Sequence, residues 1–397
     1  MASPLLIWDP GMLNYDLGGS HPLNPLRLKL TWELAERLGV LDGIDSFAPQ
    51  PADDDALAKI HDRAYITAVR AASSGQDGGR DSRRYLDHGL GTTDNPIFEY
   101  MHATSALIAG GSIAAATAIA RGEVNRAVNI AGGLHHAMSS RASGFCVYND
   151  AALAIATLLD AGVGRVAYVD VDVHHGDGVQ AAFYDDPRVL TVSIHESPFS
   201  LWPGTGWPTE MGGPTAAGTS VNIPIPAGTG DAHWLRAFAA VVPGVVRAFR
   251  PDVLVTQHGA DSHAEDPLAD LNLSVDGQLA SYRALRDLAE STTGGRWLAL
   301  GGGGYSLVRV VPRAWTHLLG TVAGRDLDPS TPLPTGWLEV AAAERPGLAL
   351  PEKMSDGKSM SFDSWDGVAA VPVDRAIADV RGLIYPLHGL DPFDPRD

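Results

Sequence analysis

The chain has one cysteine, Cys146, among its 397 residues. A single thiol cannot build an internal disulfide framework, and such scarcity suits a reducing cytoplasm. No run of about eighteen or more purely apolar residues occurs, so no membrane span is expected. Positive charge is also short. Lys and Arg total 29 against 47 Asp and Glu, a net charge of −18. That balance opposes general affinity for nucleic acid. It favours solubility first, and it could also steer a cationic substrate. The opening residues lack a basic stretch followed by a long apolar one. Leu5 to Trp8 therefore reads as a first strand and not as part of a signal peptide.

What is present describes a globular α/β protein. Hydrophobic residues make up 45% and charged residues 19%, as expected for a packed core. Strand-like and helix-like runs alternate. Strands are expected at Leu5 to Trp8, Ala127 to Ile130, Val166 to Val171, Arg188 to Ile194, Val253 to Thr256 and Trp297 to Leu300. Helices are expected at Pro25 to Leu38, Pro96 to Arg121, Ala151 to Leu159, Ala232 to Phe249, Asp276 to Glu290 and Ser306 to Leu319. This rhythm predicts a mainly parallel sheet covered on both faces. Two long loops, Ser73 to Asn95 and Ser197 to Gly218, break it and are expected to be functional or mobile. Beyond about Val322 the pattern fails. Residues 1–321 are expected to form the catalytic domain, with 322–397 an appendage packed on it.

The most telling stretch is Tyr168-Val169-Asp170-Val171-Asp172-Val173-His174-His175-Gly176-Asp177-Gly178. Alternate side chains of a strand share a face. If the strand persists, Asp170, Asp172 and His174 lie on one side and three valines on the other. Carboxylates and imidazole at the carboxyl end of a buried strand suit a metal such as zinc, with a position left for water. Burying two carboxylates without a cation would be costly.

Further polar motifs also follow strands, or lead into the next helix. They are Gly132-Gly133-Leu134-His135-His136-Ala137, Gly144-Phe145-Cys146-Val147-Tyr148-Asn149-Asp150, Gln257-His258-Gly259-Ala260-Asp261, and Gly301-Gly302-Gly303-Gly304-Tyr305. Each is weak alone, but the set in this order is strong. With these motifs the chain resembles the zinc-dependent histone deacetylase superfamily, from about Ile7 to Leu319. Tyr15, His21-Pro22-Leu23-Asn24-Pro25 and Arg27-Leu28 resemble its class I side. The closing His388-Gly389-Leu390-Asp391-Pro392 resembles bacterial acetoin-utilization deacetylases.

The resemblance implies a single three-layer arginase/deacetylase-type α/β domain with a sheet of about eight strands, plus the C-terminal appendage. It implies Asp172, His174 and Asp261 as metal ligands. Asp170 would stand behind His135, and Asp177 behind His136. Tyr305 would polarise the substrate carbonyl. Phe145 and Trp202 would wall an acyl-lysine tunnel, with Gly144 and Gly303 beside it. Asp94 would grip substrate at the rim, and Leu268 matches a gatekeeper position. Arg27 would flank an acetate channel. Asp170, Asp172, His174, Ser193 and Ile194 match one structural potassium site, and Phe183, Asp186 and Val189 a second.

The chemistry also follows from the residue types. A metal-held water is acidified towards neutrality, a neutral histidine can shuttle its proton, and carboxylates fix the histidine tautomer. A tyrosine hydroxyl can donate to a developing oxyanion. The expected function is hydrolysis of Nε-acetyl-lysine in proteins to lysine and acetate. The expected ion is Zn²⁺, with Fe²⁺ equally suited to the ligands, and K⁺ is structural. An acetylpolyamine amidohydrolase is the alternative, weakened by the apolar Leu268. A non-catalytic acyl-lysine binder and an arginase-like two-metal hydrolase are more distant ones. His258 and His263 are expected to play supporting roles, and Cys146 to be a small buried residue. The subfamily resemblance suggests an acetylated acyl-CoA synthetase, not a histone, as the cytoplasmic partner. Oligomeric state is left open.

Overall fold

The computed structural model describes residues 3–74 and 83–397. Residues 75–82, within the loop expected over Ser73 to Asn95, lie outside the described residues. Eight strands form one sheet: β1 Leu5–Ile7, β2 Ser46–Phe47, β3 Arg126–Asn129, β4 Val166–Asp170, β5 Val189–Glu196, β6 Ser220–Ile225, β7 Val253–Gln257 and β8 Trp297–Leu300. Their spatial order is β2-β1-β3-β8-β7-β4-β5-β6, and every pair is parallel. β4, β5, β7 and β8 are buried along their whole lengths. That explains their continuous apolar character, because a parallel sheet is covered on both faces.

Helices form the two covering layers. Leu26–Arg37 packs on Val311–Ala323, which meets Val275–Thr293, then Asp231–Phe249, then Pro372–Ile384. Met101–Ala120, Asp150–Asp160 and Asp177–Phe183 make the second group. The order of the central strands matters most for function. β3, β8, β7 and β4 are adjacent, so the loops leaving their carboxyl ends converge on one spot. Open α/β sheets bind ligands at such places.

Several expected boundaries shift for local reasons. The helix expected from Pro96 starts at Met101, because Tyr100 adopts a left-handed conformation with φ 61°. The helix expected from Ser306 begins at Val311, with Pro312 in its first turn, and stops at Ala323 before the left-handed Gly324. β6 carries Pro224, a residue that normally argues against a strand. It is tolerated because β6 is an edge strand. Met101–Ala120 is long and apolar enough to cross a membrane by length and composition, with a hydropathy of 1.5. His102, Thr104, Ser105, Ser112 and Thr117 interrupt its apolar run. Two thirds of it is buried in the protein, as befits a helix hydrophobic on all sides.

After Gly324 the chain returns to the body. Trp337, in the Thr335–Glu344 helix, is fully buried and donates from its indole to the Leu30 carbonyl at 2.9 Å. Val373, Ile377, Val380 and Ile384 of the last long helix enter the main core.

Candidate active site

β4 ends at Asp170, earlier than the alternation argument assumed. The alternation nevertheless survives, because carboxylates hold the backbone. Asp170 Oδ1 accepts the Asp172 N–H at 3.1 Å, and Asp172 Oδ1 accepts the His174 N–H at 3.0 Å. Val171 and Val173, which alternate with them in sequence, are buried. Asp170, Asp172 and His174 are thus presented in sequence along one irregular edge.

Asp172, His174 and Asp261 converge, with one ligand atom from each lying within 4.8 Å of the others. His174 Nδ1 is 3.1 Å from Asp172 Oδ1 and 3.2 Å from Asp261 Oδ2. All three are buried, and no Lys or Arg forms an ion pair with either carboxylate among the described residues. Burial and the neighbouring Asp172 push the Asp261 carboxyl up to about 6. Two converging buried carboxylates with an imidazole between them form a donor set that fits a divalent cation. The remaining oxygens are tied back. Asp172 Oδ2 accepts from Gln257 Nε2 at 2.7 Å and from the Gly303 N–H at 2.8 Å, and Asp261 Oδ1 from the Val173 N–H at 3.0 Å. Gly303 must be glycine. A Cβ there would lie 2.0 Å from Asp261 Oδ2.

His135 and His136 leave β3 on a turn fastened by Asp150, whose Oδ1 accepts the Gly133 and Leu134 N–H groups at 3.0 and 2.8 Å. Their rings sit 3.9 Å apart. Each donates from Nδ1 to a carboxylate at 2.7 Å, His135 to Asp170 and His136 to Asp177. The two dyads look alike but carry different charge. For His135, burial opposes protonation, yet Asp170 and then Asp172 outweigh it and raise it to about 9. For His136, burial and the positive His135 win over Asp177 and lower it to about 4. At neutral pH His136 is therefore neutral. With its proton on Nδ1, Nε2 is a free base.

A cleft of about 330 Å³ opens over these groups, lined by Asp94, His136, Gly144, Phe145, His174, Leu201, Trp202, Leu268 and Tyr305. The Trp202 ring lies 4.7 Å from His136 and 6.2 Å from His174, and the Phe145 ring 5.7 Å from Tyr305. Phe145 has φ 69°, a conformation that is rare outside glycine. Tyr15 locks this loop, its hydroxyl donating to the Phe145 carbonyl at 2.7 Å and accepting the Val147 N–H at 3.1 Å. Gly144, at φ 51°, packs so tightly that a Cβ would sit 2.5 Å from His136 and 2.6 Å from Trp202.

Tyr305 follows the glycine run after β8. Its backbone N–H donates to Asp266 Oδ2 at 2.8 Å. Burial and then Asp261 raise its hydroxyl well above the ordinary value, so it stays protonated. Behind it, Arg27 is buried, donates to the Gly304 carbonyl at 3.1 Å, and has no carboxylate within ion-pair distance among the described residues. Its guanidinium lies 5.0 Å from the Trp315 ring centre and 6.0 Å from that of Tyr305.

The other expected residues are placed as follows. Asp94 is exposed at the mouth, its carbonyl 3.3 Å from His21 Nε2. Leu268 is half-buried in the wall. Ser193 pairs in register with Asp170, and Ile194 follows it on β5. Phe183, Asp186 and Val189 come together in one turn through the bonds Asp186 N–H to Phe183 O and Val189 N–H to Asp186 O. The Asp186 carboxylate itself is engaged by Arg188. His258 and His263 stay outside the ligand cluster. His258 Nε2 is 3.0 Å from Thr256 Oγ1, and His263 Nε2 is 2.9 Å from Asp356 Oδ2. Cys146 is buried, and burial pushes its thiol upward, which makes it a poor nucleophile. Three contributors escaped the sequence reading: Gln257 on Asp172, Asp266 on the Tyr305 loop, and Leu201 in the wall. Gln257 lies inside the Gln257 to Asp261 motif and Asp266 two residues before Leu268, so the sequence shows their places but not these contacts.

Comparison with known proteins identifies the family. The histone deacetylase domain model matches residues 21–322, so the chain belongs to the histone deacetylase family and is a hydrolase of that class. Two crystal structures share the fold, each 28% identical and covering 96% of this chain and 100% of the other. One is an HDAC homologue complexed with SAHA, at TM-score 0.83, and the other an HDAC homologue from Aquifex aeolicus, at 0.82. Within the family the chain is AcuC-like. It is 40% identical over 356 residues to the acetoin utilization protein AcuC of Bacillus subtilis (strain 168), covering 90% of each chain. It is 39% identical over 327 residues to that of Staphylococcus xylosus, covering 82% of this chain and 84% of the relative.

Proposed function

We propose that this protein hydrolyses Nε-acetyl-lysine in proteins to lysine and acetate, using a divalent ion, Zn²⁺ or Fe²⁺, held by Asp172, His174 and Asp261. The observation that carries the reading is geometric: paired histidines, each bonded to its own carboxylate, stand beside the Asp172, His174 and Asp261 cluster at the foot of an aromatic cleft. When bound, such an ion supplies Lewis-acid activation of a water and of the amide carbonyl.

The chain's own residues supply the rest. Phe145 and Trp202 flank the methylene chain of the substrate and exclude bulk water. His136 Nε2, free of a proton, accepts one from the attacking water and returns one to the leaving amine. Asp177 holds that ring in the required tautomer. His135 stays cationic against Asp170 and keeps its neighbour from holding a proton for long. The Tyr305 hydroxyl donates to the oxygen that gains charge. Arg27 offers a buried cation without a carboxylate, a partner for departing acetate. The end of β4 and the adjoining part of β5 (Asp170, Asp172, His174, Ser193 and Ile194), and the turn of Phe183, Asp186 and Val189, are assigned to structural K⁺. A cytoplasmic acetylated protein, such as an acyl-CoA synthetase, is the proposed substrate.

Leu268 supports this reading over polyamine hydrolysis, because it places an apolar group where a small polycation would need a carboxylate. The test compares acetate release from an acetyl-lysine peptide and from acetylspermidine. The peptide should be preferred. A preference for the polyamine by about two orders of magnitude or more, roughly 3 kcal/mol, would defeat the assignment.

A further inference from the structure

Among the described residues Phe199 and Trp202 are exposed large apolar side chains of one short segment, and Trp202 lines the cleft. Phe199, at 87%, is the most exposed large apolar side chain among the described residues. Leaving such a ring in water is unfavourable, and an exposed apolar patch beside a functional cleft marks a contact surface.

Phe199 is not a loose side chain. Its ring meets Trp207 edge to face, with centroids 4.5 Å apart and planes at 82°. Trp207 is itself fixed. Its indole donates to the Gly204 carbonyl at 3.2 Å, and Glu210 Oε1 accepts the Gly206 and Trp207 N–H groups at 3.0 Å. The base of the segment is also tied down. Ser200 Oγ donates to Glu196 Oε1 at 2.7 Å, while Glu196 Oε2 accepts the Asp270 N–H at 2.8 Å. Leu201 and Trp202, the next residues but one and two after Phe199, line the cleft wall. The aromatic pair is thus fixed within the same loop that supplies Leu201 and Trp202 to the cleft wall.

We propose that Phe199 and Trp207 form a platform for a large apolar side chain adjacent to the acetyl-lysine in an extended segment of a protein substrate. This rests on the hydrolase reading above and narrows it. An acetylated polyamine has no side chain to place on such a platform, whereas a peptide does. Rigid aromatic groups lose little freedom on contact and often dominate recognition.

The test measures kcat/KM on paired peptides that differ only in having Phe or Gly next to the acetyl-lysine. A single capped acetyl-lysine is run alongside on the wild type. The wild-type protein should prefer the Phe peptide by about tenfold, mostly through KM. In Phe199→Ala that ratio should shrink to within about threefold, and Phe199→Trp should restore it. A wild-type ratio near one, or a ratio untouched by Phe199→Ala, overturns the platform. Capped acetyl-lysine turned over without neighbour preference overturns the platform alone. No acetate from any substrate overturns the hydrolase reading with it. Concentration-dependent self-association abolished by Phe199→Ala would give the patch to a second copy of this chain and also overturn the proposal.

Discussion

The floor and the mouth of the cleft are built on opposite principles. At the floor almost every polar atom is buried and answered. Asp172 alone engages Gln257, the Gly303 N–H and the His174 N–H, and glycines allow backbone to touch ligand atoms. At the mouth, Asp94, Phe199 and Trp202 are exposed. The difference teaches where chemistry and choice reside. The floor can hold an ion and move protons only because its groups cannot relax. The mouth can select a partner because it is still waiting for contacts.

Breaking the floor should cost most. Asp261→Ala removes one of two carboxylates, so the ion and acetate release should be lost together. An ion in such a site stabilises the transition state by several kcal/mol, so turnover should drop more than about 1000-fold. Metal analysis and initial rates on the same sample check this. A metal-free variant with wild-type rates would refute it.

Tyr305→Phe spares the ligands and removes one donor. Metal content should stay at the wild-type level while turnover falls roughly 100–1000-fold. Because the hydroxyl is held protonated by its surroundings, the loss should be in kcat more than in KM. Normal turnover with full metal would remove the oxyanion role.

The last effect is on stability and not on rate, lies behind both regions and gives a baseline. His61 and His317 are buried, and burial lowers each to about 4. His61 accepts the Asn149 N–H at Nε2 and faces the Met138 carbonyl from Nδ1, so it braces the tunnel-wall loop in neutral form. In the unfolded chain both would take up protons below about 6.5, while the fold refuses them until about 4. The unfolded state therefore binds more protons in that window, and stability falls as pH drops from about 6.5 towards 4. The loss should approach 1.4 kcal/mol per pH unit for each residue. The drop in urea midpoint from pH 7 to pH 5 should be smaller in His61→Gln than in the wild type, and an equal drop would contradict it. Neighbour preference on peptides should not change with this loss.

Much of the floor is legible in the sequence because its ligands sit within a few residues of strand ends. Asp170 to Asp177 can be read almost directly, as can Gly132 to His136. The alternation of Asp170, Asp172 and His174 is less simple than a strand, since side-chain bonds to backbone replace the ladder after Asp170. The unlike charges of His135 and His136 are not legible. They depend on which carboxylates reach which ring, and Asp170 and Asp177 are each more than thirty positions away. Asp266 supports Tyr305 across 39 positions, and no local pattern announces it. β6 is hidden by Pro224, which only an edge position permits. Tyr100 delays the start of a helix by backbone conformation alone, although its residue type gives no warning. The mouth is the least legible, because an exposed phenylalanine carries meaning only once its neighbours in space are known.

The central claim is that one divalent ion on Asp172, His174 and Asp261 makes the floor reactive. Stripping the wild-type protein with a chelator and adding back Zn²⁺ in steps, while following acetate release from an acetyl-lysine peptide, tests it most directly. Activity should vanish on stripping and return in full at one ion per chain. Full activity in metal-free protein, or recovery only at two ions per chain, would contradict it.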